Sequence, residues 1–129
     1  NVFKADENTI IIGHSSGGVA ALRYLENHKL FGAIIVGVNH TDLGYEDEKE
    51  SGYYSKPWDW KAIKANAGWI VQFASTDDPF INISEPRFIH DQLDTEYFEL
   101  LNRGHFMIDH NPANKAFPEI IDIVAQKTN

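Results

Sequence analysis

Thr9-Ile10-Ile11-Ile12-Gly13-His14-Ser15-Ser16-Gly17-Gly18-Val19-Ala20-Ala21-Leu22-Arg23-Tyr24-Leu25 carries three signals in succession. An apolar, β-branched run comes first, a run of small residues second, and third a segment whose apolar residues Val19, Leu22 and Leu25 recur at helical spacing. The stretch therefore reads as a strand, a tight turn and a helix, with Ser15 at the tip of the turn. Small residues let the chain reverse sharply, which pushes the Ser15 hydroxyl out above the sheet. The helix behind it aims free N–H groups and a positive dipole end at the same spot. A bare G-x-S-x-G occurs by chance. Between a strand and a helix, the same spacing is that of a nucleophile elbow.

Outward from this stretch, apolar runs at 9–12, 33–38, 69–74 and 97–101 read as strands. The first three are nearly continuous, as expected of parallel strands covered on both faces. Helices are expected from 16 to about 28, over 57–66 with a proline in its first turn, over 84–93 behind a cap-type serine, and from 118 to about 127, where Ile120, Ile121 and Val124 share one side. Regular alternation of strand and helix predicts an α/β fold with a parallel sheet and right-handed crossovers. The long segment 39–56, with its Glu46-Asp47-Glu48-Lys49-Glu50 run, reads as a solvated loop. The cluster Gly52-Tyr53-Tyr54-Ser55-Lys56-Pro57-Trp58-Asp59-Trp60 reads as aromatic packing, with the wall of a substrate pocket as the competing reading.

A serine hydroxyl is a weak nucleophile at neutral pH and needs a base, and the base needs an orienting group. In α/β-hydrolases these follow in the order serine, acid, histidine, each after a strand end. The strand 69–74 runs into Asp77-Asp78, and the strand 97–101 into Gly104-His105. The residues alone do not choose between Asp77 and Asp78. His105 is the expected base, taking the Ser15 proton and later delivering it to the leaving group. The backbone N–H of Ser16 is one expected oxyanion donor. His14 is read as packing. His28, His40, His90 and His110 show no ligand spacing and H-E-x-x-H is absent, so no metal site is expected.

The 129 residues suit one domain, over 1–129, with a core that buries roughly two-thirds of the unfolded surface. A net charge of −8 argues against nucleic-acid binding. No cysteine is present, which removes disulfides and thiolate chemistry. No apolar run reaches the ~18 residues of a membrane span. No signal peptide is visible, and a cytoplasmic location is the expectation. The chain opens on Asn1 and reaches its first strand almost at once, so its true N-terminus is expected to be missing, and any targeting signal with it.

At these residues the chain resembles the retinoblastoma-binding protein 9 family of small serine hydrolases, related to bacterial YdeN-type proteins. The resemblance runs through Thr9 to Gly17, Ser51-Gly52-Tyr53 with Pro57-Trp58, Lys61 to Asn66, Ile70-Val71-Gln72-Phe73, Ser75-Thr76-Asp77-Asp78-Pro79-Phe80 and Gly104-His105-Phe106. It implies an α/β-hydrolase-type parallel sheet with flanking helices and a serine hydrolase that needs no cofactor. Such an enzyme would cleave a small-molecule ester or amide with Ser15 as nucleophile, His105 as base and Asp78 as acid. Family members carry further N-terminal strands upstream of this point, with the loop where a second oxyanion donor is expected. The resemblance implies that these strands are missing here, which would leave 9–12 as an exposed edge and the chain poorly soluble or oligomeric. The vertebrate member's L-x-C-x-E retinoblastoma-binding motif is matched here by Phe3-Lys4-Ala5-Asp6-Glu7, which lacks the leucine and the cysteine, so that binding is not implied. The alternatives are a non-catalytic protein-interaction module on the same fold, or an inactive fragment of the enzyme.

Overall fold

The structure is a computed structural model that describes residues 4–129. Phe3, which opens the stretch matched to the retinoblastoma-binding motif, lies outside them. Four strands, β1 (Ile10–His14), β2 (Gly32–Val36), β3 (Ile70–Ser75) and β4 (Glu96–Leu100), form one parallel sheet in the order β1-β2-β3-β4. The helices are α1 (Ser16–Leu25), α2 (Glu46–Glu50), α3 (Trp60–Asn66), α4 (Ser84–Leu93), α5 (Ala113–Ala116) and α6 (Pro118–Thr128). This is the α/β fold with a parallel sheet that the alternation of strand and helix predicts, and the sheet with flanking helices that the resemblance implies.

Period-two alternation along β2 divides the core. Ala33 and Ile35 face one side and join Val19, Leu22 and Leu25 of α1, Ile63 of α3, and Ile89 and Leu93 of α4. Ile34 and Val36 face the other and join Val71 and Phe73 of β3, Phe106, and Ile123 of α6. Strands β2 and β3 are buried throughout, as continuous apolar runs covered on both faces should be. Strand β1 is not covered in this way: among the described residues it is a sheet edge, as expected of 9–12, with Gly13 buried and Ile12 52% exposed.

Local chemistry explains the shifted boundaries. Helix α3 begins at Trp60, not at Pro57, because the Asp59 carboxylate caps it by accepting the Ala62 N–H at 3.1 Å. The acidic run 46–50 is a short helix and not only a solvated loop. Glu46, Asp47 and Glu48 occupy its first turn, where negative charge complements the helix dipole. Helix α5 is too short to leave an apolar pattern in the sequence.

The elbow rests on two close approaches. A Cβ on Gly13 would lie 2.6 Å from the Gly17 carbonyl and the Gly18 Cα, and a Cβ on Gly18 would lie 2.2 Å from Val38 Cγ2. Gly17 faces open space. Gly18→Ala is therefore expected to destabilise the fold by about 1–3 kcal/mol, the usual range for overpacking. Gly17→Ala should leave the chemical-denaturation midpoint nearly in place. Equal midpoints for the two variants would contradict the packing described.

Candidate active site

All the candidate groups sit at the carboxyl ends of the strands, the edge of an open parallel sheet where ligands bind. Ser15 follows β1 directly and caps α1 with φ 56° and ψ −120°, a left-handed conformation unusual for a residue with a side chain. Its own N–H continues the ladder by donating to the Val36 carbonyl at 2.9 Å. The hydroxyl is thereby fixed at the sheet rim, with the Ser16 N–H next to it at the start of α1.

His105 comes from the loop after β4. Its Nε2 lies 3.0 Å from Ser15 Oγ, and its Nδ1–H donates to Asp78 Oδ2 at 2.7 Å. The Asp78 side chain, 4% exposed, is held in turn by the N–H groups of Phe80 and Ile81, which donate to its Oδ1 at 2.9 and 3.1 Å. The structure thus brings Ser15, His105 and Asp78 into one chain of contacts.

The neighbouring aspartate does something else. Asp77 Oδ1 accepts the Ser75 hydroxyl at 2.6 Å and the Gly104 N–H at 3.0 Å, so it ties the β3 loop to the histidine loop. The Ser75 hydroxyl and the Gly104 N–H hold its carboxyl below the usual range. His14, read from the sequence as packing that points away from the tip, is exposed, with its ring 4.9 Å from that of His105, and it also bonds. Its Nε2–H donates to the His105 carbonyl at 2.7 Å.

A cavity of about 220 Å³ opens on Ser15 and His105. Asn39, Leu43, Tyr45, Glu48, Phe80 and Ile81 complete its lining. Sequence reasoning does not find Leu43, Tyr45 and Glu48, because they lie in or beside the charged segment assigned to solvent. The aromatic cluster 52–60 does not wall this cavity. Tyr53, Tyr54, Trp58 and Trp60 pack on the core, and residues 54–58 line a separate, larger cavity of about 390 Å³ that excludes Ser15. The smaller cavity is the candidate site, since it holds the reactive groups.

The segment that supplies the lining is pinned at both ends. At its start, Glu85 Oε1 accepts the N–H groups of His40 and Thr41, each at 3.0 Å, and the Thr41 hydroxyl at 2.9 Å. At its end, the Arg23 guanidinium donates to the carbonyls of Tyr53, Lys56 and Pro57 at 2.7–3.1 Å and lies 3.6 Å over the Trp58 ring. The Asn39 side chain donates to the Tyr54 hydroxyl at 2.7 Å and joins the two ends. Burial pushes the Tyr54 phenol upward, with the Glu48 carboxylate adding to it, so Tyr54 stays a neutral hydroxyl here.

The family model for serine hydrolases matches residues 1–126. This chain belongs to the serine hydrolase family. The rat serine hydrolase RBBP9 is 48% identical over 119 residues, a match covering 92% of this chain and 61% of the rat protein. The putative hydrolase YdeN of Bacillus subtilis is 31% identical over 110 residues, covering 80% of this chain and 56% of YdeN. The crystal structure of the B. subtilis ydeN gene product superposes with a TM-score of 0.83 at 26% identity, over 95% of this chain and 67% of that one. The chain thus spans about three-fifths of the length of the relatives it matches. Among the described residues of this serine hydrolase family member, no helix is long and apolar enough to cross a membrane.

Proposed function

We propose that the protein hydrolyses a small-molecule ester or amide through an acyl-enzyme formed on Ser15. His105 Nε2 takes the Ser15 proton as Oγ attacks the carbonyl carbon. The tetrahedral oxyanion is received by the Ser16 N–H. Collapse breaks the bond to the leaving alcohol or amine, which departs with the proton from His105. Water, deprotonated by the same nitrogen, then cleaves the acyl–Ser15 ester and restores the serine. Asp78 fixes the Nδ1–H tautomer and stabilises the imidazolium. No step calls on a metal or cofactor.

The observation that carries this reading is the pair of contacts at His105, 3.0 Å to Ser15 Oγ and 2.7 Å to Asp78 Oδ2. The partly apolar lining from Leu43, Tyr45, Phe80 and Ile81 suits a short acyl or aryl group. A fluorophosphonate probe tests the reading. One adduct is expected, on the peptide containing Ser15. No adduct, or an adduct on another serine, overturns it. Rates on p-nitrophenyl esters of increasing chain length, set against aminoacyl amides, then decide which bond is preferred.

A further inference from the structure

The backbone around His105 is gripped by side chains. The Arg103 N–H donates to Ser75 Oγ at 3.1 Å and the Gly104 N–H to Asp77 Oδ1 at 3.0 Å. The His105 N–H donates to His110 Nδ1 at 2.9 Å, and the His105 carbonyl accepts from His14 Nε2–H at 2.7 Å. Two other histidines therefore hold the main chain of His105, with opposite hydrogen-bond polarity.

That difference has a chemical meaning. His14 donates, and an imidazolium keeps the same N–H. His110 accepts, so its Nδ1 must carry a lone pair and its proton must sit on Nε2; an imidazolium has no lone pair to offer. His110 is an exposed residue whose ring lies over the space that a side chain at position 104 would need. Gly104 has φ +57°, and a Cβ there would lie 2.5 Å from His110 Nδ1. The His110 ring centroid is 6.1 Å from that of Phe80, whose ring meets His105 edge-on at 5.3 Å.

We propose that His110 is a positioning residue: as a neutral imidazole accepting the His105 N–H, it seats the histidine loop so that Nε2 meets Ser15, and its protonation releases that seat. The inference rests on the Ser15–His105–Asp78 reading for its effect on rate, though not for the contact itself. The titratable groups facing His110 are Asp77 from the loop after β3 and His105. Asp109 and Arg103 lie on its own loop, and His14 reaches the far side of His105 from β1. Asp77, held below the usual carboxylate range by Ser75 and Gly104, stays ionised while histidines titrate. On acidification, the donor-to-acceptor contact at His110 becomes donor against donor. Protonation of His110 removes the acceptor of the seat and protonation of His105 the acceptor of the Ser15 proton, so each acts against the same step.

The test compares the protein with its H110N and H110L variants. Asparagine places Oδ1 close to where Nδ1 lies and accepts at every pH; leucine offers nothing. Fluorophosphonate labelling rates against pH should show an acid limb steeper than a single protonation gives. H110L should lose roughly ten-fold in rate at neutral pH and show a single-proton limb. H110N should recover much of that loss and keep the shallow limb. Independently of any reactivity, ¹⁵N NMR should find the His105 amide protected from hydrogen exchange while the His110 ring is neutral and unprotected once it is charged. In H110N it should be protected throughout, and in H110L at no pH. An amide indifferent to the His110 titration, or an H110L variant matching the parent in exchange and acid limb, overturns the proposal. Absence of labelling in the parent would instead strike at the Ser15 assignment, and amide exchange would still decide the role of His110.

Discussion

Ser15→Ala is expected to lower kcat for any ester or amide the protein cleaves by a factor on the order of 10⁶, the loss seen when a serine nucleophile is removed from a comparable relay. The fold should not change. Ser15 is only partly buried, alanine keeps the same Cβ at φ 56°, and the substitution removes the 3.0 Å hydrogen bond to His105 Nε2 at the sheet rim. Turnover and a denaturation curve, measured on the same preparation, separate the two effects. Turnover that persists within ten-fold of the parent would move the nucleophile elsewhere and remove the basis of the proposed reaction. His105→Ala should cost nearly as much, because groups that act as a unit fail as a unit.

The second large effect distinguishes two adjacent aspartates. In Asp78→Asn the carboxamide oxygen stays where Oδ1 is, accepting from Phe80 and Ile81, since only an oxygen satisfies those N–H groups. The NH₂ then faces His105 Nδ1, which must become an acceptor. The ring proton moves to Nε2 and points at Ser15, where it blocks proton removal. A loss of about 10⁴ in kcat is expected from such a tautomer reversal. In Asp77→Asn the side-chain oxygen still accepts from Ser75 and Gly104, and the cost should stay within about ten-fold. Comparable losses at the two positions would mean that the acid has been misplaced. Steady-state rates at pH 8 decide it.

Much of this architecture is written in local pattern. Strands β2 and β3 announce themselves as apolar runs because both faces are covered, and α1 and α6 by their apolar spacing. The elbow is legible because its requirements are local: small residues, a strand before and a helix after. The adjacent aspartates are not separable from residues alone, because both sit in one turn and differ only in which way each carboxylate points. The family resemblance names Asp78, and the structure gives Asp77 a different set of partners. Helix α2 is not legible, because five mostly charged residues carry no apolar period. The hold of His14 and His110 on the main chain of His105 leaves no trace in sequence, since a side chain that bonds a backbone group constrains no partner residue type.

The excursion between β2 and α3 has its feet clamped, by the Glu85 carboxylate at one end and the Arg23 guanidinium at the other, and the cavity-lining Leu43, Tyr45 and Glu48 lie in between. On the proposed reading, part of the cavity wall and the residues that would carry the reaction are therefore separate pieces of chain, and exchanging Leu43, Tyr45 or Glu48 is expected to change which molecules fit while leaving the Ser15–His105–Asp78 contacts in place.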